Sequence, residues 1–282
     1  FDVTRYTISA TQVLINLIGS VALLLWGMRM VRTGVTRAYG GGLRQAISKS
    51  VANRLRALCV GVGVTAILQS STATAMMISS FAGRGLITTA PALAVMLGAD
   101  IGTTMVAQLL SFNISWASPL LLAFGFVTHS MARNTRPRQL GRTAMGLGIM
   151  LLALKLIVST AEPLRESQVL HDVLISISGD ALIAILIAAL LTWLAHSSLA
   201  VVLLIMSLAS SGAVPVEATF ALVVGANIGG TIPPIIATMA EGPEGRRVPL
   251  GNAAFKLFGA LLILPFISLI NPWIAEISDD PA

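Results

Sequence analysis

The chain of 282 residues is 55% hydrophobic and only 11% charged, with a mean hydropathy of +0.86. Soluble domains carry about 25% charged residues, so this composition excludes an ordinary soluble protein. The formal net charge of +6 would suit nucleic acid, but its distribution, described below, indicates loops beside lipid. The single cysteine, Cys59, excludes an internal disulfide and a metal site built from cysteines. The chain begins at Phe1 without a cleavable signal peptide, and we expect its natural start to be missing.

Long apolar stretches recur along the chain, each near or above the ~20 residues that a helix needs to cross a bilayer. The stretches that read as whole spans are residues 8–31, 115–132, 143–161 and 250–270. Strands are disfavoured because the apolar runs are long and do not alternate. The sequence therefore predicts a polytopic, all-α membrane protein.

A short amphipathic segment is predicted after the first of these spans and again after the third. Its apolar residues recur at helical spacing, so they would share one face. They are Leu43, Ile47, Val51 and Leu55 in the first segment, and Leu170, Val173, Leu174 and Ile177 in the second.

Two further apolar regions in each half are interrupted near their middles. Polar residues interrupt the chain at 69–71, within ILQSSTATAMM, and at 196–198, within AHSSLAVVLL. Glycine-rich interruptions follow at 98–102 and at 225–230. Irregular backbone at membrane depth survives only where it is buried in protein or lines a wet cavity. We predict a re-entrant hairpin at each polar interruption and a broken helix at each glycine-rich one.

These interruptions belong to an internal repeat. Residues 65–104 and 192–231 align without a gap at an offset of 127, with 14 identities in 40 positions. The matches include the paired serines and the glycines, which an apolar bias does not explain. We therefore divide the chain into two transmembrane repeats, residues 1–135 and residues 136–282.

The predicted topology is inverted between the repeats, because each would cross the membrane three times. The charges agree with this topology, since thirteen arginines and lysines fall on one predicted side and two on the other. By the positive-inside rule the basic loops, including residues 32–56 and 133–142, are expected in the cytoplasm. Both chain ends are then expected outside a bacterial inner (plasma) membrane.

The polar interruptions are suited to bind a small ion pair at the interface between the repeats. The N-terminus of a half-helix offers free N–H groups and a positive dipole to an anion, to which serine and threonine hydroxyls can also donate. Carbonyl, hydroxyl and amide oxygens suit a hard cation such as sodium. Asp100 is expected to bind sodium, or a proton, because its sequence neighbours carry no positive charge. A structural ion pair is the alternative for Asp100, and for Lys256 pairing or reaching the lipid interface is favoured over attracting phosphate.

The motifs LQSSTATAMM with GADIGTT, and AHSSLAVVLL with GANIGGT, resemble those of the type II sodium/phosphate cotransporter family and its bacterial relatives. Those proteins carry a Gln-Ser-Ser-Ser motif in each of two inverted repeats, with a Gly-Ala-Asn-Ile-Gly-Thr motif after each. The resemblance covers about residues 15–270 and implies sodium-driven uptake of inorganic phosphate without a cofactor. The departures are Thr72, His196, Leu199 and Asp100, where the family has Ser, Gln, Ser and Asn.

Two sets of site residues follow from the motifs and the resemblance. The predicted phosphate ligands are Ser70, Ser71, Ser197, Ser198, Asn227 and Thr231. The predicted sodium ligands are Gln69, Thr72, Asp100, Thr103, Thr104 and His196. No catalytic residue and no metal other than sodium are predicted.

Other classes of function remain as alternatives. A phosphate exporter or a channel-like path could use the same fold, and the sequence does not separate either from uptake. An intramembrane hydrolase using His196 with Ser197 or Ser198 is disfavoured, because neighbouring residues on a helix do not face each other and no third orienting group is evident. A receptor for a cytoplasmic regulator is a third alternative. The expected partners are phosphate, sodium and the bilayer, with no nucleic acid, and a homo-oligomer is left open.

Overall fold

The computed structural model describes residues 10–49, 53–112, 114–162 and 180–266. Every regular element within these ranges is a helix, as the sequence predicts. The helices are α1 (Ala10–Lys49), α2 (Arg54–Leu68), α3 (Ser71–Gly83), α4 (Thr89–Ser111), α5 (Ala117–Met131), α6 (Thr135–Ala161), α7 (Ala181–Ala195), α8 (Ser198–Ser210), α9 (Val216–Gly229), α10 (Ile232–Ala237) and α11 (Pro243–Ile263), which a short 3₁₀ turn at Leu264–Phe266 extends.

Several of these helices have the length and composition of membrane spans. Five segments in the described ranges qualify, namely Thr11–Lys49, Thr89–Ser111, Thr135–Ala161, Ala218–Ala237 and Pro243–Phe266. The predicted span at 115–132 is confirmed as an apolar helix, α5, but its 15 residues fall short of the ~20 needed to cross alone. Many large apolar side chains on these helices are exposed, as expected of a surface in contact with lipid. The chain is an integral membrane protein.

Helix α1 is longer than the predicted first span. It runs unbroken for 40 residues, so the prediction of a separate amphipathic segment after residue 31 is wrong. Leu43 and Ile47 are buried, whereas Leu55 lies exposed on α2. The second predicted amphipathic segment, at 170–177, falls outside the described residues.

Part of the extension of α1 is matched by its partner α6, which begins at Thr135 instead of residue 143. The two helices make the most extensive helix–helix contact among the described residues. A Cβ on Gly34 would lie only 2.7 Å from the Gln139 carbonyl oxygen, and a Cβ on Gly27 would lie 2.8 Å from the Gly146 carbonyl oxygen. This close approach of backbones lets each helix support the other beyond its apolar stretch. The last span also begins early, at Pro243.

Both predicted polar interruptions are confirmed as breaks between helices. Helix α2 ends at Leu68 and α3 begins at Ser71, while α7 ends at Ala195 and α8 begins at Ser198. We call the two units the first hairpin (residues 54–83) and the second hairpin (residues 181–210). Their re-entrant placement in the membrane stays a prediction.

The predicted break at Gly98–Gly102 is wrong, because α4 continues through these residues without interruption. Both glycines face α2. A Cβ on Gly98 would collide with the carbonyl oxygen of Leu58, and one on Gly102 would lie 2.6 Å from that of Val62. These glycines therefore serve close packing of two helices, in the manner of small residues at four-residue spacing in membrane helices.

The second repeat uses its glycines in the same way. Gly225 and Gly229 on α9 face the carbonyl oxygens of Ile185 and Ala189 on α7 at equally close range, and both contacts are those of the first repeat displaced by 127 positions. The predicted break is confirmed here, since α9 ends at Gly229 and the short helix α10 begins at Ile232.

Helix α8 packs between the two halves. Leu199 and Leu203 on it belong to the main core, which otherwise comes mainly from α1 to α4, α6 and α11, with α5 packed against it. Val201 and Ile205, on another face of α8, pack against Ala226 of α9 in a second cluster. The N-terminus of α8 is thereby held against the first repeat, where the first hairpin also has its break.

Candidate functional site

The two breaks share one unusual backbone conformation. Gln69 has φ 51° and ψ 33°, and His196 has φ 53° and ψ 27°. These are left-handed values, which cost an L-residue roughly 1–2 kcal/mol. Among the described residues they are the only ones other than glycine with positive φ. The conformation turns the chain sharply between two helices, and its duplication supports the internal repeat.

Each break is closed by a serine that caps the following helix. Ser70 Oγ accepts a hydrogen bond from the Ala73 N–H at 3.1 Å, and Ser197 Oγ accepts one from the Ala200 N–H at 3.2 Å. An N-cap of this kind satisfies one of the free N–H groups at a helix start. Part of the reason for the duplicated serines is therefore structural. The Ser197 hydroxyl also donates to Met28 Sδ at 3.9 Å, whereas a hydroxyl such as that of Ser70 can still donate its proton while it accepts.

The two breaks meet at one small cavity. Its volume is about 10 Å³, close to the ~10–15 Å³ that one water requires. The cavity is lined by Gln69, Ser70, Ser71, Thr72, Thr103, Ser197, Ser198 and Leu199. Seven of the twelve predicted ligands therefore lie together, drawn from both repeats. The sequence prediction that Ser71 and Ser198 lie at one site agrees with this placement, while their roles as ligands stay predictions.

The electrostatics of the cavity favour an anion. Helices α3 and α8 both begin there, so two positive dipole ends and the unpaired N–H groups of their first turns converge. None of its lining residues is ionised, so the fixed field comes from backbone dipoles and hydroxyls. This is the arrangement in which helix starts bind phosphate groups.

A cation ligand is also available at the same place. Gln69 Oε1 is buried and has no hydrogen-bond partner among the described residues. A buried acceptor without a partner costs about 1–3 kcal/mol, and its oxygen is of the type that a hard cation binds. The chemistry of this group therefore fits the sodium role predicted for Gln69.

The end of α9 approaches the cavity from the second repeat. A Cβ on Gly230 would lie 3.0 Å from Ser198 Cβ, so a larger residue would push the serine. Thr231, a predicted phosphate ligand, is buried beside it and donates its hydroxyl to the Ile228 carbonyl oxygen at 2.7 Å. Thr231 caps the α9 break and is not part of the cavity lining.

Three other predicted ligands also lie away from the cavity. Asn227 donates its amide to the Val223 carbonyl oxygen at 3.1 Å, within its own helix. Thr104 is exposed and its hydroxyl donates to the Asp100 carbonyl oxygen at 3.1 Å. The His196 ring is exposed, with Nδ1 3.1 Å from the Leu194 carbonyl oxygen.

Asp100 has a partner that its sequence neighbours did not reveal. Lys256 Nζ lies 2.8 Å from Asp100 Oδ1. The argument for sodium considered only the sequence neighbours of Asp100, and Lys256 brings a positive charge from a distant position. Sodium binding at Asp100 stays a prediction. Of the two interpretations favoured for Lys256, pairing or reaching the lipid interface, the structure shows the pairing. The two residues are 156 positions apart, and no spacing rule on either helix could have joined them.

A larger cavity, of about 590 Å³, was not anticipated from the sequence. It lies between the C-terminal parts of α4 and α6 and the side of α8, and its polar residues include Lys155, Ser207 and Ser210. The serines recur on α8 at three-residue spacing, which is the signal that could have predicted a polar face. Ser198, at the start of the same helix, lines the small cavity, so α8 runs along both.

The comparisons with known proteins agree with these features. The family model described as "Na+/Pi-cotransporter" matches residues 23–159 and 165–274. The Escherichia coli K12 protein named "Putative inorganic phosphate export protein YjbB" is 42% identical over 265 residues, 94% of this chain and 49% of that protein. The Bacillus subtilis protein named "Uncharacterized protein YqeW" is 26% identical over 270 residues, 96% of this chain and 88% of that protein. No solved structure matches the chain.

The chain spans about half the length of the YjbB proteins that it matches. The family match covers both repeats and includes every residue that lines the small cavity. The family is one of transporters, which confirms the predictions of a transporter relative and of a protein that is not an enzyme. The chain belongs to the Na+/Pi-cotransporter family.

Proposed function

We propose that this chain carries inorganic phosphate across the membrane through the cavity at the two breaks, with sodium as the coupling ion. The observation that carries the proposal is the convergence of two capped helix starts, α3 and α8, on one cavity lined by Ser71 and Ser198. Backbone N–H groups and hydroxyls suit a small oxyanion, and the family is that of sodium/phosphate cotransporters.

The mechanism requires the two hairpins to separate. Phosphate has five heavy atoms and does not fit a cavity of about 10 Å³, close to the size of one water. We propose that the first and second hairpins part to admit phosphate and close again around it. The larger cavity, along α8, would be the approach from one side, with Lys155 attracting the anion.

Sodium would bind on the side of the first hairpin. Gln69 brings an unpartnered oxygen and Thr72 a hydroxyl to the cavity, and Thr103 adds a second hydroxyl. A cation there would lie next to the phosphate and reduce its charge, which couples the binding of the two ions. The second hairpin offers fewer oxygens, because Leu199 stands where Thr72 stands in the first.

The direction of transport has two candidates. Sodium-driven uptake is the activity that the family description implies. Export is favoured by the name of the Escherichia coli relative, "Putative inorganic phosphate export protein". Both use the same cavity and differ in the gradient that drives them.

The deciding experiment is transport of radiolabelled phosphate by purified protein in liposomes. We expect phosphate to move in the direction of an imposed sodium gradient, faster than with an equal potassium gradient. Protease cleavage at an engineered terminal site measures which fraction of the protein has each orientation in the liposomes. Uptake and export can then be distinguished. Equal phosphate flux with and without protein would refute the proposal.

The inverted topology can be tested by labelling. In a Cys59→Ser background, Arg138→Cys in the first turn of α6 should be protected from impermeant thiol reagents added outside cells. Trp116 lies at the other end of α5 and is 70% exposed, so Trp116→Cys should react with the same reagents. Labelling of Arg138→Cys from outside would overturn the predicted sidedness.

A further inference from the structure

The ion pair between Asp100 and Lys256 joins the two repeats. Asp100 lies on α4 of the first repeat and Lys256 lies on α11 of the second, with Nζ and Oδ1 2.8 Å apart. Both side chains are largely shielded, with 24% of Asp100 and 12% of Lys256 exposed. Among the described residues it is the only ion pair between two helices. The protein therefore neutralises this carboxylate with its own ammonium group.

Helix α4 links the pair to the cavity at the two breaks. Thr103, which lines the cavity, follows Asp100 by three residues on α4, and residues at this spacing share a helix face. On α11, Asn252 lies one turn before Lys256; it is buried, and its Oδ1 has no partner among the described residues. Asn252 thus brings an oxygen acceptor to the turn of α11 before Lys256, and the Lys256 ammonium group contacts the Asp100 carboxylate.

We infer that the Lys256 ammonium is a tethered cation, which fills the place of a coupling cation at Asp100. A shielded carboxylate needs a positive partner, and a lysine supplies a fixed charge that does not dissociate. The pair would then be neutral as a whole, and Asp100 would take up no transported ion. This inference rests on the function proposed above and determines how many sodium ions accompany each phosphate.

The inference separates two roles for the same residue. If the ammonium stands in for an ion, its removal should leave a carboxylate able to recruit sodium, with Asn252 Oδ1 as a further oxygen ligand. If the pair only ties α4 to α11, its removal should weaken the fold equally in any salt. Asn227, at the equivalent position in the second repeat, carries no charge, and this agrees with both roles of the pair. Substitutions of Lys256 and Asp100 distinguish the two roles.

The first test measures cation binding without transport. Lys256→Met protein, purified in detergent without phosphate, is heated in sodium chloride and in choline chloride. We expect sodium to raise its melting temperature by about 2–4 °C more than it does for the native protein, the size expected for a well-occupied site in a chain of this length. Lys256→Arg, which keeps the charge, and the Asp100→Asn/Lys256→Met double variant should behave as the native protein does.

The second test measures coupling. In liposomes, the number of sodium ions on which phosphate flux depends, taken from the power of the sodium concentration, should increase by one in Lys256→Met. It should return to the native number in the double variant. An unchanged number in Lys256→Met, together with no extra stabilisation by sodium, would overturn the inference. So would a Lys256→Met protein that fails to fold in sodium as well as in choline, since sodium would then not replace the ammonium group.

The two proposals can fail separately. If native protein moves no phosphate, the proposed function fails, while the sodium-dependent melting of Lys256→Met still decides the role of Lys256. If phosphate moves but sodium does not stabilise Lys256→Met, the transport proposal stands and the tethered cation does not.

Discussion

The first and second hairpins have the same backbone and different side chains. Both turn through a left-handed residue, both are capped by a serine, and both are packed against a glycine-bearing helix. In the first hairpin, Thr65 and Thr74 hydrogen-bond across the turn at 2.8 Å between their hydroxyl oxygens. In the second, the twin of Thr74 is Val201, and the hydroxyl of buried Thr192 has no partner among the described residues.

The difference indicates how the duplicated site has diverged. The features that shape the turn are retained in both hairpins, whereas the hydroxyls of Thr72 and Thr74 occur only in the first, because Leu199 and Val201 stand at the twin positions. Gln69 faces the cavity, but its twin His196 is exposed. We interpret the first hairpin as the source of most side-chain ligands, and the second as the source of a helix start.

The largest expected effect comes from the packing that both hairpins share. Gly98→Ala and Gly225→Ala should each destabilise the protein by about 3 kcal/mol or more, at or beyond the upper end of the usual cost of overpacking, because each new Cβ meets a backbone carbonyl. Thermal unfolding in detergent and the yield of monodisperse protein measure this. Gly63→Ala on α2 is the control, since nothing lies within 4 Å of its Cβ. Native-like melting of either variant would contradict the packing role.

The next effect concerns phosphate. Ser198→Ala should weaken phosphate binding by about 3 kcal/mol and Ser71→Ala by about 1 kcal/mol, the range for a lost partner in a buried polar site. The two differ because Thr72 leaves a second hydroxyl beside Ser71, while Leu199 offers none beside Ser198. Binding of labelled phosphate to purified protein measures both, with exposed Ser48→Ala as the control. Equal losses of phosphate affinity in the two variants would contradict the proposed asymmetry. No loss of affinity in either variant would contradict a shared phosphate site.

A smaller effect is expected from exchanging the threonine pair between hairpins. Val201→Thr should stabilise the protein by about 1 kcal/mol, because it gives the Thr192 hydroxyl the partner that Thr65 already has. Thr74→Val should destabilise it by about the same amount or more, because it leaves the Thr65 hydroxyl buried and unpaired. Melting temperatures of the two variants should move in opposite directions. A decrease in both would show that the hairpins are not equivalent in backbone.

The smallest effect concerns the left-handed residues. His196→Gly and Gln69→Gly should each stabilise the fold by up to about 1 kcal/mol, because glycine adopts positive φ without strain. Only Gln69→Gly should also impair sodium-dependent phosphate transport, since the His196 ring is exposed and directed to its own backbone. Melting and transport measured on the same preparations separate the two effects. A loss of transport in His196→Gly would show that the histidine does take part in the site.

The sequence predicted the breaks at 69–71 and 196–198 because polar side chains in an apolar run have few uses other than lining a cavity or capping a helix. It did not separate two uses of glycine. Glycines at 98–102 and 225–230 look alike in sequence, yet the first set packs within a continuous helix and the second also ends one. The helix ends in the second repeat because prolines follow residue 232, and the first repeat has no proline at the equivalent positions.

Contacts between distant positions were beyond the sequence argument. Asp100 could be recognised as an unusual residue, but its partner Lys256 lies on a helix that only the fold brings near. The convergence of both hairpins on one cavity was predictable, because two copies of one motif related by pseudo-symmetry should meet at their interface. The displacement of His196, Thr104 and Asn227 was not, since it depends on which way each helix is rotated.

The smallness of the cavity between the breaks has a consequence for the energy of the cell. A transporter shares its membrane with the gradients that drive it, so any continuous file of water through it would act as an electrical leak. With room for about one water, the meeting point of the two hairpins leaves no space for such a file of water between them. If this cavity is the transport site that we propose, its tightness would keep the driving gradient from leaking whenever no phosphate is bound.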